Sequence, residues 1–380
     1  MPIQSQRERF TIPDGVSYLN CAYMSPLLRA VVMAGEEGVR QKQHPWTIHP
    51  RDFFDGPGTL RGLFGQLLGA TAEDIALVPS VSYGVGTAVA NLPMAPGQEV
   101  LVLDEGFPSM VYPWQDAASR VGATLIVVPR PNDDDWTGAV QERITDRTAV
   151  ACLPHCHWTD GGLLDLVAIG SRLRAVGAAL VVDATQSLGA LPLDLAAVQP
   201  DYLVAAGYKW LMGPYGLGYL YVAPHRQDGR PLEQTWIGRE GSEDFAGLTR
   251  YGTGYQPGAR RFDSGEACNF ILVPMAIAAL TQLLEWGVPA ISTTIKTLTE
   301  QIARDTMPLG LGTVAANRRA PHYLGLRSAT PLRLDLLSRL AAEQVYVSQR
   351  GSALRITPHV YNDRADVDRL VAALESILPR

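Results

Sequence analysis

Lys209 lies in the segment Ala205-Ala-Gly-Tyr-Lys-Trp-Leu211, just past one apolar run and 26 residues after Asp183, which ends another. Lysine and aspartate are rarely buried without a task, because an ionised group removed from water loses its hydration. At the ends of two apolar strands this pair offers complementary functions. The amine can form a Schiff base with an aldehyde, and the carboxylate can keep a pyridine nitrogen protonated so that the ring draws electrons. Those are the needs of a pyridoxal 5'-phosphate site. The competing reading is a surface lysine beyond a strand end and a turn aspartate.

The elements that would position the pair follow from periodicity. Residues 99–104, 124–129, 149–154, 179–183 and 201–205 are short, continuously apolar runs, which predict strands covered on both faces. Helical patterns over 109–121, 137–144 and 163–176 alternate with them, and Gly122 and Gly177 stand as C-terminal stops. Such alternation predicts a mostly parallel, helix-covered sheet, in which ligands collect at the C-terminal ends of the strands. Asp104, Pro154, Asp183 and Gly207 all fall at such ends. Ser80-Val-Ser-Tyr-Gly84 follows the apolar run 75–79 and opens a helix, so the Val81 and Ser82 amides and the Ser82 hydroxyl suit a phosphate. Ser82 can equally be read as a helix N-cap.

Beyond Tyr251 a Gly-, Arg- and Tyr-rich stretch, 252–265, leads to helices near 273–286 and 290–307, then 332–343 and 365–378, with strands near 345–349 and 354–357. The expected division is a segment 1–20 packing with the small domain, a large cofactor-binding domain over 21–255, and a small C-terminal domain over 256–380.

Composition narrows the function classes. The chain has 380 residues, 47% hydrophobic and 18% charged, enough for a large core and more than one domain. A formal charge of -6 without a basic stripe argues against nucleic acid. The most apolar stretch, 270–280, is interrupted by Pro274 and is too short to span a membrane. The first ten residues carry no apolar signal segment, so a cytoplasmic location is expected. Cys21, Cys152, Cys156 and Cys268 are too scattered for a disulfide scaffold. Cys152, His155, Cys156 and His157 include zinc-ligand types, but side chains of one strand alternate between faces, and no metal is expected. Gly84-Val-Gly86 could open a dinucleotide fingerprint, yet Val89 stands where its third glycine belongs.

Asp183-x-x-Gln186, then Gly207-Tyr-Lys-Trp210 and Gly213-Pro-Tyr-Gly-Leu-Gly218, resembles the class V aminotransferase family of fold-type I pyridoxal phosphate enzymes. Further stretches extend the likeness along nearly the whole chain. Tyr18-Leu-Asn20 resembles the family's opening motif, Glu105-Gly-Phe-Pro-Ser109 its cofactor-stacking loop, Arg261-Phe-Asp-Ser-Gly265 its partner-contact loop, and Arg355-Ile-Thr-Pro-His359 its C-terminal motif. The resemblance implies an α/β fold of type I: a large, mostly parallel sheet domain and a smaller C-terminal α+β domain. It implies a homodimer with the active site near the subunit interface, a free amino acid as substrate, and Lys209 as Schiff-base lysine.

Around Lys209 the same resemblance places Asp183 at the pyridine nitrogen, Gln186 at the phenolic oxygen, Phe107 over the ring, and Tyr208 with Val81 and Ser82 at the phosphate. On the substrate side it places Arg355 as a carboxylate clamp, with Asn20, His157 and Trp158 at the mouth. Without it, Gln186 reads as a loop amide, Phe107 as core packing and Arg355 as one half of a structural ion pair. The chain departs from the pattern at Ala206, where one common form has Ser, and at Glu266, where the partner-contact loop usually has Thr. It departs again at Met110, where kynureninases place Asp.

Lys209, freed as an amine, is the expected general base at the substrate's Cα. Transamination, epimerisation and β-elimination all share that proton removal. The segment Val347-Ser-Gln-Arg-Gly-Ser-Ala-Leu-Arg355 holds no cysteine, which argues against persulfide-based sulfur transfer. An aminotransferase is the first expectation. The alternatives are a β-lyase cleaving C–S or kynureninase-like C–C bonds, an epimerase, and, from a different class, a catalytically silent binding protein. The loop His44-Pro-Trp-Thr-Ile-His49-Pro-Arg51 is either a substrate-contacting or a packed loop.

Overall fold

The protein is described by a computed structural model over residues 2–378. In chain order its first elements are β1 (Ser17–Tyr18), α1 (Arg29–Lys42), α2 (Asp52–Leu68), β2 (Ile75–Val78), α3 (Val81–Asn91), β3 (Glu99–Leu103), α4 (Pro108–Val121) and β4 (Thr124–Val128). Then follow α5 (Trp136–Arg143), β5 (Thr148–Pro154), α6 (Leu166–Ala175), β6 (Ala179–Asp183), α7 (Leu195–Val198), β7 (Tyr202–Ala206) and β8 (Gly218–Val222). The C-terminal part comprises α8 (Leu272–Trp286), α9 (Val288–Thr306), β9 (Leu311–Gly312), β10 (Leu324–Ser328), α10 (Leu336–Ala342), β11 (Val345–Tyr346), β12 (Ser348–Arg350), β13 (Ala353–Ile356) and α11 (Arg364–Ile377).

Seven strands form one sheet in the order β2-β8-β7-β6-β5-β3-β4. β8 pairs antiparallel with β7 and β2, and the other pairings are parallel. Alternate residues feed two cores: Leu101, Leu153, Val182 and Leu203 face one, Val102, Cys152, Val181 and Val204 the other. This two-sided cover explains the continuously apolar runs. β4 is the exception. It is one of the two edge strands, paired only with β3, and Val127 is 49% exposed.

A third core gathers Leu19 with residues of α9, β10, α10, β13 and α11. β1 pairs in parallel with β11 (Ser17 with Val345, Tyr18 with Tyr346), which ties this strand to the same body, whereas Phe10 belongs to the large core. The expected strand over 345–349 is two strands, because β11 joins β1 whereas β12 joins β13. The boundary expected at 256 is not where the cores divide. α8 packs on α1 and α2, Ile291 and Ile295 of α9 belong to the large core, and Leu298 and Ile302 belong to the small one. The stretch after Tyr251 runs from exposed residues to buried Ala259, Phe262 and Asp263, and beyond α9 Ala320, Tyr323, Val360 and Tyr361 still pack in the large core. Among the described residues no single helix is long and apolar enough to cross a membrane. α8 and the helical stretch after it could do so by length and composition only as a pair bent by 77°.

β2 is held from outside by a buried ion pair. Arg61 of α2 donates to Asp263, and the other oxygen of Asp263 accepts the Leu77 N–H at 2.7 Å. Replacing Asp263 by Ala leaves a buried guanidinium without counter-charge, and thermal unfolding should report a loss of about 3–5 kcal/mol. A loss below about 1 kcal/mol would mean that the pair behaves as an exposed one.

Candidate active site

A cavity of about 240 Å³ opens at the C-terminal edge of the large sheet. Every residue expected around the cofactor walls it: Val81, Ser82, Phe107, Asp183, Gln186, Tyr208 and Lys209, together with His157 and Trp158. Arg355 and Asn20 stand outside this lining. The convergence follows from topology, since the segments that begin at Pro79, Asp104, Pro154, Asp183 and Gly207 all leave the sheet on this side.

The turn after β7 aims the lysine. Gly207 donates its N–H to Leu217 O at 2.9 Å, and its carbonyl accepts the Gly213 N–H at 2.8 Å. A Cβ at Gly207 would meet Leu217 O at 2.7 Å, so only glycine lets the chain fold back this tightly. Lys209 is 8% exposed, with its Nζ 5.5 Å from the Phe107 ring centroid and 5.6 Å from that of Tyr208. Burial lowers its ammonium pKa from the ordinary lysine value to about 8; Asp183 opposes that shift, and Arg355 and Arg350 add to it. Asp183 ends β6 and is buried, and the Thr185 N–H donates to it at 2.8 Å. Burial pushes its carboxyl pKa up, so a cation in the cavity would favour its ionised form. Gln186 accepts from Trp210 Nε1 at 2.9 Å and donates to Ala22 O at 3.2 Å, leaving one amide proton for a ligand.

The helix N-terminus at the cavity is capped by Ser80, whose Oγ accepts the Tyr83 N–H at 3.2 Å. Ser82 is therefore not the cap. It lies one residue inside α3, and its hydroxyl donates to Ser109 Oγ at 2.9 Å. Ser109, one residue inside α4, also lines the cavity, and Tyr215 packs at 4.5 Å on Tyr208 beside it. These two, like Thr185, were not singled out by the sequence pattern. The Ala206 N–H, at the place where the common pattern has Ser, donates to Thr185 Oγ1 at 3.0 Å.

On the other side stands a buried arginine without an acid. Arg355 on β13 is 1% exposed and donates to Ser348 Oγ at 3.0 and 2.8 Å, to Trp158 O at 3.2 Å and to Tyr323 OH at 3.2 Å. All are neutral groups, so the reading of Arg355 as half of a structural ion pair fails among the described residues. Asn20 does not reach the cavity. It accepts from Ser348 Oγ at 2.8 Å and so stands behind Arg355, holding the hydroxyl that orients it. His157 lines the cavity, with both ring nitrogens already engaged. Its ring is fully buried and stacked at 5.0 Å on Trp136, with one nitrogen 2.8 Å from Thr159 Oγ1 and the other 3.0 Å from Asp104 O. Trp158 is half-buried, meets Phe107 edge-on at 5.4 Å and donates to Glu105 O at 2.6 Å.

Met110, where kynureninases place Asp, is buried and lines the cavity. Glu266 and the loop from His44 to Arg51 lie outside the lining, Glu266 exposed and the loop largely so. The sequence also missed Asp160, fully buried, which accepts from Arg130 at 2.7 Å and from Arg327 of β10. It lies six residues past the end of β5, before the pair Gly161-Gly162, and carries no strand-end signal in the sequence.

A buried amine and carboxylate in one cavity, a helix N-terminus, and flat aromatic walls form a donor set that fits pyridoxal phosphate. With the parallel sheet they define a fold-type I pyridoxal phosphate enzyme. Residues 58–370 match the family described as aminotransferase class-V, and the chain belongs to that family. It is 30% identical over 309 residues to a Bacillus subtilis (strain 168) protein described as uncharacterized aminotransferase YcbU, covering 81% of this chain and 80% of that one. It is 28% identical to the isopenicillin N epimerase of Streptomyces clavuligerus, with 98% of each chain covered. A solved structure of a C-DES mutant with glycine covalently linked to its PLP cofactor shares the fold, with a TM-score of 0.89, 21% identity, and 98% and 100% of the two chains covered.

Only the neutral amine attacks an aldehyde, so the rate at which apoprotein takes up pyridoxal phosphate should rise with pH and level off near about 8, the value to which burial lowers Lys209. The absorbance change on mixing, followed across pH, measures this. A rate still climbing at the ordinary pKa of an exposed lysine would contradict the buried, shifted amine.

Proposed function

We propose that the protein is a pyridoxal phosphate-dependent aminotransferase acting on a free amino acid. The observation that carries this reading is Lys209, a buried amine with a lowered pKa facing the same cavity as buried Asp183. Lys209 would hold the cofactor's aldehyde carbon and Asp183 its ring nitrogen. Phe107 would cover the ring and Gln186 donate to its phenolic oxygen. The Val81 and Ser82 amides, with the Ser82 and Tyr208 hydroxyls, would hold the phosphate. Bound there, pyridoxal phosphate supplies an aldehyde that captures an amine and a ring that draws electrons from the Cα of an attached amino acid.

The chain's own groups suffice for transamination, one of the reactions that begin this way. Arg355 would grip the α-carboxylate through its buried guanidinium, directing Cα toward Lys209. Lys209, neutral in part near pH 7–8, takes the Cα proton. The cavity offers few other proton carriers. His157 is committed to Thr159 and Asp104, and the Cys152 and Cys156 thiols are buried with their pKa pushed up. Transamination needs only one carrier, which returns the Cα proton on the far side of the amino nitrogen. β-Elimination must also release a departing atom, which leaves as a stable anion or takes a proton from Lys209 or from a cavity hydroxyl such as that of Tyr208 or Tyr215. The named similarity to an aminotransferase supports transamination. The cavity is flanked by exposed Ser82 and by Tyr215, 67% exposed, an open side that suits closure by a second copy in a homodimer.

Borohydride reduction of the yellow holoprotein, followed by peptide mass analysis, should place the cofactor on Lys209, one of only three lysines with Lys42 and Lys296. An unmodified Lys209 would sink the enzyme reading and leave a silent binding protein. Adding single amino acids should then yield a keto acid with the pyridoxamine form of the cofactor. Pyruvate and ammonia from a β-substituted substrate would instead mark a lyase, and inversion at Cα without keto acid an epimerase.

Arg355→Ala should raise KM for the amino acid by roughly 10- to 100-fold, the worth of a charge-assisted contact of about 1.5–3 kcal/mol. The holoprotein's absorbance should stay as it was. Unchanged KM would remove Arg355 from the substrate site.

A further inference from the structure

A second arginine accompanies Arg355. Arg350 ends β12, and the register of the hairpin pairs Ser348 with Arg355 and Arg350 with Ala353. Side chains alternate along a strand, so Arg350 and Arg355 project from the same face of the hairpin as diagonal neighbours. Both guanidiniums reach the indole of Trp158, with Cζ atoms 5.8 and 5.9 Å from its ring centroid. Trp158 itself walls the cavity that Lys209 faces.

Neither arginine has an acid. The hydrogen bond of the Arg350 side chain is to its neighbour's carbonyl, Gln349 O, at 2.7 Å, and no carboxylate of the described residues forms an ion pair with Arg350 or Arg355. The contrast with the surrounding loops is direct. Arg130 is paired with both Asp160 and Glu105, and Arg327 with Asp160, so the nearby acids are already committed to other cations. Two unpaired guanidiniums on one hairpin face disfavour each other and the Lys209 ammonium, and burial and the Arg355 charge lower the pKa of Arg350. An arrangement that concentrates positive charge beside a cavity, with no internal anion, is suited to an anionic ligand carrying more than one charge.

We infer that Arg350 and Arg355 together select an amino acid with an acidic side chain: Arg355 takes the α-carboxylate and Arg350 the second, side-chain carboxylate. Depth assigns the two roles. Arg355 is 1% exposed and locked by Ser348 and Tyr323, as a fixed clamp near Cα must be, whereas Arg350 is half-buried at the hairpin end, where a side chain of variable length can reach it. The inference rests on the reading of the cavity as a pyridoxal phosphate site that binds an amino acid.

The test uses holoprotein and two near-isosteric pairs, L-glutamate against L-glutamine and L-aspartate against L-asparagine, with binding followed by the change in cofactor absorbance. At least one acid should bind roughly tenfold or more tightly than its amide, the effect of one added charge-assisted contact. Arg350→Gln should bring that ratio toward one, and Arg350→Lys should retain part of it. A purely structural role for Arg350 would weaken acid and amide alike and leave the ratio unchanged, which would overturn the inference. Equal binding of acid and amide by the parent protein, or response to neutral amino acids only, would overturn it as well while leaving the cofactor site standing. Absence of any response to any amino acid would instead overturn the underlying reading of the site.

Discussion

The constraint on which the rest depends is that a primary amine must be kept inside the protein, partly uncharged, and still able to react. Hydration of an ammonium is strong, so its burial is costly and lowers its pKa. Lys209 is held there by a turn whose backbone hydrogen bonds close on Leu217 and Gly213, and that turn exists because Gly207 lets the chain pass within contact of Leu217. Asp183 faces the same cavity from the neighbouring strand, its own pKa raised by the same burial. Each member of the pair is thus stored away from its ordinary ionisation, and a ligand that brings a positive ring nitrogen and an electrophilic carbon satisfies both.

The Arg355 side of the cavity is built across the two cores. Trp158 belongs to the loop after β5, yet its carbonyl accepts from Tyr323 and from Arg355 of the C-terminal body, and its indole N–H is tied to Glu105 before α4. Two residues further on, Asp160 joins Arg130 of the large body to Arg327 of the small one. Removing either cation would leave a fully buried carboxylate short of charge compensation, so this link is well placed to keep the two bodies in one relation. The position of the Arg355 guanidinium relative to Lys209 therefore depends on contacts made by neither residue's immediate neighbours in sequence. Asn20, at the other end of the chain, completes the arrangement through Ser348.

Local pattern made much of this legible. The parallel strands were visible because a strand covered on both faces must be apolar throughout, and the helix stops were visible because Gly122 adopts the left-handed conformation that other residues resist. β8 was hidden, since it begins inside a glycine-rich run and pairs antiparallel against the direction of the alternating units. β4 was misjudged because an edge strand can be as apolar as a central one. The packing of α8 was hidden for a related reason: a stretch rich in glycine and arginine marks a change of composition, whereas membership of a core depends on what α8 packs against, namely α1 and α2.

The sequence by itself determined the chemistry available: one lysine and one aspartate at strand ends, a serine-rich helix start, aromatic residues in the following loop, and arginines near the C-terminus. Covalent identity and strand periodicity are local properties, and they carry that far. Only the tertiary structure decided which of these groups face one another. It turned His157 into a packed wall, moved Asn20 behind Arg355, gave the cap of α3 to Ser80, and set Arg350 beside Arg355 on one hairpin face. Distances between residues far apart in the chain, and the solvent removed from around them, are set by packing and strand register. Those fix charge states and hydrogen-bond partners, and no local pattern contains them.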